Sequence, residues 1–485
     1  MPEKISHILS SSRLILPELI FAGVFLVVVG IVAFSKQYRP LLYNILTLVV
    51  LVIIGFIFFA SYHFLENNFN SGVSLFHGLI FLDSLSIFFK VTITLAAAAV
   101  ILHLWIVGYQ VVGEFYVLFL ALILGLFIMS MTSHLLTLYV AIETVSICSY
   151  ILVVINKTKP NAEAGIKYLL TGATSSAVML YGVSILYGMT GTLNFGSHEF
   201  MTFLGQNPPW VANLAVFMTI GGLLFKLSAV PFHSWTPDVY EASPTPIVAF
   251  LSIAPKLGVV IVLIRFLNGL SIDFRMTLAI IITGSLLIGN LSALWQNNTK
   301  RMLGYSTIAH AGFMLVGLLA LNQFGVQSAT FYVATYLFIT LAAFLLVDLL
   351  ALKTESYELE SLKGLGQENV FLGLAAVIIM IALVGFPPTV GFTGKLLIFT
   401  ALWNAYNDTG NNVVLVVLII SLLNTAISVF YYLRIPYFMI FKDPKGGAKR
   451  IALDLEKRVL LFIYIFLLVY LFLNPGPIMK IIESL

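Results

Sequence analysis

The sequence predicts an all-α polytopic membrane protein of about fourteen transmembrane helices, with two inverted five-helix repeats that each contain a broken helix. Three observations lead there. Of 485 residues, 60% are apolar and 9% charged, whereas soluble domains carry roughly 25% charged residues. Apolar stretches close to the roughly 20 residues needed to cross a hydrocarbon core recur along the whole chain. Two of these stretches are interrupted by prolines, and both carry a lysine.

Composition excludes soluble enzyme folds. The formal charge of +4, from 25 Lys+Arg and 21 Asp+Glu, leaves no basic stripe for nucleic acid and no acidic tail. The single cysteine, Cys148, excludes an internal disulfide, a Cys-ligated iron–sulfur cluster and a structural zinc site. The histidines His7, His63, His77, His103, His134, His198, His233 and His310 form no HExxH motif and no i,i+4 pair, and no GxGxxG or GxxxxGK[ST] fingerprint is present.

Candidate spans begin near residues 14, 41, 82, 115, 134, 164, 211, 246, 276, 301, 327, 371, 413 and 457. The first, Leu14 to Phe34, is followed by a polar SKQYRP turn without a small-residue cleavage site, so it reads as a retained helix. Residues 1–112 form an N-terminal three-helix segment, 113–267 the first five-helix repeat, 268–440 the second and 441–485 a C-terminal helix. Five is odd, so the second repeat is inverted relative to the first. Lys and Arg collect in alternate loops: Lys36 and Arg39; Lys157 and Lys159; Lys300 and Arg301; Lys353 and Lys363; and Lys442, Lys445, Lys449, Arg450, Lys457 and Arg458. Only Lys4, Arg13, Arg275 and Lys480 lie at the opposite ends, which predicts both termini outside the cytoplasm.

The fourth span of each repeat is the irregular one. GGLLFKLSAVPFHSWTPDVY carries Pro231 and Pro237, and ALVGFPPTVGFTGKLLIF carries Pro387 and Pro388. Proline removes a backbone donor and blocks the bond to residue i−4, so a helix must break there. Such breaks persist in lipid only where protein or a watered cavity satisfies the freed groups, and half-helix ends then offer partial charges to passing ions.

The basic residues left inside spans are Lys90, Lys167, Lys226, Lys256, Arg265, Lys395 and Arg434. A lysine at the bilayer centre costs roughly 2.5–3.5 kcal/mol on insertion scales, so the mid-span Lys226, Lys256 and Lys395 call for an explanation. Glu143 is the one carboxylate placed equally deep, and pairing is expected. Desolvation makes any buried ammonium easier to deprotonate and an approaching carboxylate reverses this, so such a set can act as a proton switch. A static ion pair that locks helices together is the other reading. Lys167 has Glu163 one turn back and can snorkel, which leaves a functional and a structural role both open. Lys90 follows Asp83 by seven residues, on one face, and a local pair is expected. Arg265, Arg434, Glu18 and Asp348 lie toward helix ends, where snorkelling or hydration suffices. His310, in TIAHAGF, occupies the second span of the second repeat as Glu143 does in the first; it can pass protons or serve as a satisfied core histidine. His233, two residues beyond Pro231, lines the same cavity or caps the break.

The run FKLSAVPFHSWTPDVYEASPTPIVAFLSIAPK, Phe225 to Lys256, resembles the signature of the antiporter-like membrane subunits of NADH:quinone oxidoreductase, respiratory complex I, and within them subunit N, also called subunit 2. YVAIETVSICSY around Glu143, EAGIKYLLTGATSSA around Lys167, NTKRMLGYSTIAHAGFML around His310 and GFPPTVGFTGKLLIF around Lys395 extend the resemblance over roughly residues 80 to 440. YEASPTP lacks the glycine that the family commonly carries in that loop, and the first 80 residues are poorly diagnostic.

The resemblance implies that Glu143 and Lys226 form the ion pair of a first half-channel. Lys256 would be the central lysine, Lys395 the lysine of the second half-channel and Lys167 an auxiliary lysine. With His310 these residues would relay protons, driven by NADH oxidation and quinone reduction elsewhere. The resemblance further implies no cofactor or metal on this chain, FMN, iron–sulfur clusters and quinone on other subunits, and a hetero-oligomer of membrane subunits in a lipid bilayer. The resemblance implies H+ as the transported ion, and a bacterial plasma (inner) membrane is the expected location. The rival readings are a subunit of a multi-subunit sodium/proton antiporter or membrane-bound hydrogenase, a structural scaffold, and a stand-alone solute transporter.

Overall fold

A computed structural model describes residues 8, 10–34, 39–68, 72–444 and 453–485. Lys4, His7, Lys36, Lys445, Lys449 and Arg450, named above, lie outside the described residues, as does the side chain of His63. The chain is almost entirely helical. The N-terminal part comprises α1 (Leu16–Phe34), α2 (Pro40–Asn68), a hairpin of β1 (Val73–Leu75) and β2 (Ile80–Leu82), and α3 (Ser84–Val107). There follow α4 (Gly113–Met131), α5 (Leu135–Val153), α6 (Lys159–Thr190), α7 (His198–Gly205), α8 (Pro209–Thr219) and α9 (Gly221–Leu227). Next come α10 (Thr236–Ala242), α11 (Thr245–Leu251), α12 (Ala254–Asn268), α13 (Arg275–Leu294), α14 (Thr299–Leu319) and α15 (Gln323–Thr354). The last elements are α16 (Leu365–Glu368), α17 (Val370–Val384), α18 (Val390–Thr409), α19 (Asn412–Tyr432), α20 (Arg434–Phe441), α21 (Leu455–Leu473) and α22 (Gly476–Glu483).

Helix starts follow local chemistry. The side chains of Asp83, Thr158, Asn298 and Asn322 each accept from a first-turn backbone N–H, which satisfies donors that have no intrahelical partner. Among the described residues, eleven helices are long and apolar enough to cross a membrane, or up to thirteen if the bent pairs α8 with α9 (44°) and α21 with α22 (67°) each count as one span. The protein is therefore a multi-pass membrane protein.

Burial sorts these helices. The apolar windows of α1 and α2 are only 22% and 33% buried, leaving apolar faces for lipid, whereas those of α14 and α15 are 94% buried. Small residues permit the closest approaches: a Cβ on Gly289 of α13 would lie 2.5 Å from the Ala309 amide nitrogen of α14.

The chain forms two compact units. The first contains residues 1–226 and 254–273, the second 227–253 and 274–484. Within the first, α12 packs on α3 and α4, α4 on α5, and α6 on α8. Within the second, α14 packs on α10, α13 and α15, and α15 packs on α18.

The two spans carrying Pro231 with Lys226 and Pro387 and Pro388 with Lys395 are both broken. Helix α9 ends at Leu227, Ser228 takes φ +64°, the Val230–Pro231 bond is cis, and helix resumes at Thr236. Helix α17 ends before Gly385, the Pro387–Pro388 bond is cis, and α18 begins at Val390. A third interruption, within a stretch that the sequence predicts as one continuous span, separates α11 from α12 at Ser252 and Ile253. Pro255 accounts for it, because its ring excludes the carbonyl of Leu251 four residues back.

Candidate functional site

In the first unit, one face of α6 builds the surroundings of Lys226. Tyr168, Gly172 and Ser176 recur every fourth residue and so line up on the helix. Gly172 is required by close approach: a Cβ there would lie 1.8 Å from Oη of Tyr150, whose ring packs edge-on to Tyr168 at 4.7 Å. Lys226, in the last turn of α9, is 2% exposed and donates to Tyr168 Oη at 3.3 Å. Its ammonium sits among three rings, 5.4 Å from Tyr150, 5.3 Å from Tyr168 and 5.6 Å from Phe225. A lysine at a helix C-terminus faces the negative end of the helix dipole.

The expected direct pair of Glu143 and Lys226 is not formed. Glu143, half-buried on α5, accepts from the Ser176 hydroxyl, while Lys226 is surrounded by aromatic side chains. Lys167 is where the sequence put it, nearly half exposed and paired with Glu163 at 3.0 Å. Lys256 is fully buried in the first turn of α12, just beyond the Ser252–Ile253 interruption.

Two further ion pairs in this unit correct the sequence reading. Lys90 pairs not with Asp83 but with Glu18, both buried, and its ammonium lies 5.3 Å from the Phe58 ring. Arg265 does not snorkel: it donates to Asp83 at 2.6 Å, to Ser86 Oγ at 2.9 Å and to the Ser130 carbonyl at 2.7 Å. Both pairs join residues far apart in the chain, and spacing along one helix carries no sign of them.

In the second unit, Lys395 is 3% exposed and held by a helix end. Its ammonium donates to the Val384 carbonyl at 2.7 Å and reaches the Leu383 carbonyl at 3.5 Å, with the Phe313 ring 4.2 Å away. These are last-turn carbonyls of α17, left without intrahelical donors by the break. Gly385 makes this possible, with φ +85° and a position where a Cβ would meet Lys395 Cδ at 2.7 Å.

His310 is buried with both ring nitrogens occupied, Nδ1 by Tyr332 Oη at 2.7 Å and Nε2 by Tyr432 Oη at 2.9 Å. His233 lies half-buried in the break between α9 and α10. Lys300, counted above among loop lysines, is instead buried. It donates to the Ser243 carbonyl and lies 4.7 Å from the Tyr357 ring, whose hydroxyl donates to buried Asp348 at 3.3 Å. Its neighbour Arg301 takes the exposed role, pairing with Asp238 at 2.6 Å and Glu241 at 2.8 Å. Arg434 is spent on the carbonyls of Leu294 and Gln296.

Broken apolar helices with a buried lysine at each break define a membrane protein built to handle charge within the bilayer. Residues 132–423 match the transmembrane family of NADH:quinone oxidoreductase and Mrp antiporters, and the chain belongs to that family. It is 33% identical over 466 residues to NADH-quinone oxidoreductase subunit N 2 of Chloroherpeton thalassium, covering 92% of this chain and 89% of that one. Among solved structures it is similar to a chain of respiratory complex I from Thermus thermophilus, at TM-score 0.77 and 30% identity, covering 96% of this chain and 98% of that one. A chain of the Mrp complex from Dietzia sp. superposes with TM-score 0.83 over 98% of this chain and 96% of its own, but at 18% identity the likeness is one of fold alone.

Proposed function

We propose that this chain is a proton-translocating membrane-arm subunit of NADH:quinone oxidoreductase, in a hetero-oligomer with other membrane subunits. The observation that carries this reading is the identity to a subunit N that extends over 92% of the chain. In this reading NADH oxidation and quinone reduction occur on other subunits, which hold FMN, the iron–sulfur clusters and the quinone; this chain carries no redox group. The two five-helix blocks act as inverted half-channels in a bacterial inner membrane, with both termini on the non-cytoplasmic side.

The chemistry follows from the deep charges. Glu143, now bonded to Ser176, would swing toward Lys226 when a neighbouring subunit changes its charge state, and would stabilise the ammonium there. Swinging away would release a proton through Lys256 and His310 to Lys395 and out to the non-cytoplasmic side, with Lys167 as an auxiliary site. Both broken-helix lysines adjoin a helix C-terminus, an environment that steadies a cation without a permanent counter-ion.

A native gel of mildly solubilised membranes, probed for this chain and stained for NADH dehydrogenase activity, tests the assignment. Comigration with activity at very high mass is expected. Migration in a smaller, NADH-inactive assembly would overturn it in favour of the sodium/proton antiporter reading.

A further inference from the structure

Helices α14, α15 and α19 bring four polar side chains of the second unit into one hydrogen-bonded line. Tyr332 Oη lies 2.7 Å from His310 Nδ1, Nε2 of the same ring lies 2.9 Å from Tyr432 Oη, and Tyr432 Oη is bonded to Ser306 Oγ. None of the four is more than 3% exposed. A hydroxyl both donates and accepts, and a neutral imidazole has one donor and one acceptor nitrogen, so the line has two self-consistent directions. In one, Tyr332 donates to Nδ1, Nε2–H donates to Tyr432, and Tyr432 donates to Ser306. In the other every bond is reversed.

We propose that Tyr332, His310, Tyr432 and Ser306 form a proton wire in which the two tyrosine hydroxyls serve the two nitrogens of His310. The wire rests on the reading of the chain as a proton-translocating subunit. A proton delivered to Ser306 Oγ sends the hydroxyl proton to Tyr432 Oη, and the Tyr432 phenolic proton passes to Nε2. The Nδ1 proton passes to Tyr332 Oη, and the Tyr332 phenolic proton leaves on the Lys395 side. One proton is taken up and one released, every bond broken is matched by one formed, and no phenolate arises. The imidazole has changed tautomer, so ring and hydroxyls must turn back before a second proton passes the same way.

The surroundings fit this use. Tyr336 stacks on the His310 ring at 4.4 Å and holds its plane. The Tyr332 end abuts α18, where a Cβ on Gly394 would lie 3.0 Å from Tyr332 Cδ2, one residue before Lys395. Phe313, whose ring faces the Lys395 ammonium, lies 5.9 Å from the His310 ring. The wire therefore ends beside the buried lysine.

Tyr431 supplies the control. It is equally buried and its ring lies 4.3 Å from that of Tyr432, but its hydroxyl donates its one proton to Asn290 at 2.9 Å, so toward Tyr432 and Ser306 it can only accept and passes no proton along the wire. The assembled complex is reconstituted in proteoliposomes and NADH-driven proton uptake is measured. Tyr332→Phe and Tyr432→Phe are each expected to slow uptake about tenfold, to the rate of Lys395→Met, while Tyr431→Phe stays within about twofold of the parent. Equal slowing by all three tyrosine variants would reveal a packing role and overturn the wire. Parent rates in Tyr332→Phe and Tyr432→Phe with a slow Lys395→Met would overturn the wire and leave the functional reading standing; parent rates in all four would overturn both. If a tyrosine variant fails to assemble, Ser306 decides: loss in Ser306→Ala with recovery in Ser306→Thr supports the wire, and a parent rate in Ser306→Ala overturns it.

Discussion

The two lysines at the broken helices meet the same difficulty with different means. Lys395 has backbone carbonyls of α17 within reach, one at 2.7 Å, so its charge is met by ligands that cannot move away. Lys226 has one phenol at 3.3 Å and three ring faces, and its nearest functional carboxylate, Glu143, is bonded elsewhere. Ring faces are worth about 0.5–2 kcal/mol to a cation, and a hydrogen bond to a charged group about 1.5–3 kcal/mol. The comparison teaches that burial alone does not set the behaviour of an intramembrane lysine. A ligand set made of backbone fixes the charge, whereas one made of side chains leaves it open to whichever carboxylate arrives.

The largest expected effect separates the two sites by stability. Lys395→Met leaves the Val384 carbonyl buried without its donor, a loss of about 1–3 kcal/mol. Lys226→Met places a thioether among three rings, where sulfur–aromatic contacts of about 0.3–1.5 kcal/mol offset the lost bond. Both variants are expected to slow NADH-driven proton uptake about tenfold, and only Lys395→Met to lower the thermal midpoint of the purified complex. A lower midpoint for Lys226→Met than for Lys395→Met would reverse the comparison.

Next in size are the glycines that shape each site. Gly172→Ala drives a methyl into Tyr150 Oη, which must leave the face of Lys226; overpacking of this kind costs about 1–3 kcal/mol. Gly385→Ala meets a left-handed backbone at φ +85°, costing about 1–2 kcal/mol, and pushes the Lys395 stem off its carbonyls. Both should destabilise. In a double-mutant cycle with the lysine removed, Gly385→Ala is expected to become milder, because Met can bend away, while Gly172→Ala is not, because its clash is with a tyrosine. Equal coupling in the two cycles would show that the sites are built alike.

The sequence revealed what is encoded locally and little of what is paired at a distance. Apolar length, the two proline breaks and the depth of Lys226, Lys256 and Lys395 are properties of short windows, and the structure has those breaks and those burials. Four residues assigned to hydration or loops, Glu18, Arg265, Asp348 and Lys300, proved to have partners, with 182 positions between Arg265 and Asp83 and 72 between Lys90 and Glu18. No periodicity reports such partners. The aromatic setting of Lys226 was equally hidden, since 39 Phe and 21 Tyr make any single ring unremarked in the sequence. A better signal was available in TGAT and TSSA: Gly172 and Ser176 share a face with Tyr168, a small and polar stripe on a helix that otherwise faces lipid.

A smaller effect tests whether Glu143 is poised. Ser176→Ala frees the carboxylate from its hydroxyl partner and is expected to cost about 1.5 kcal/mol, the low end for a bond to a charged group because Glu143 is only half-buried. If Glu143 then settles on Lys226, proton uptake slows while assembly is unchanged, and the two lysine sites come to resemble each other as fixed charges. Unchanged uptake would mean that Ser176 plays no part in holding the carboxylate away.

The smallest expected effect guards the comparison against a false acid sensitivity. His134 caps the helix that carries Glu143, its Nδ1 accepting from the Leu136 N–H, and partial burial lowers its proton affinity below the usual 6.5. The unfolded chain therefore binds the proton at a higher pH than the folded one. Stability from this cap is complete above pH 6.5 and declines as pH falls toward the folded-state value. Asparagine caps helices without titrating, so His134→Asn should flatten the acid limb of the thermal midpoint between about pH 7 and 5 and leave it unchanged at neutral pH. Parallel curves would rule out the cap, and any remaining acid sensitivity would then belong to the buried charges themselves.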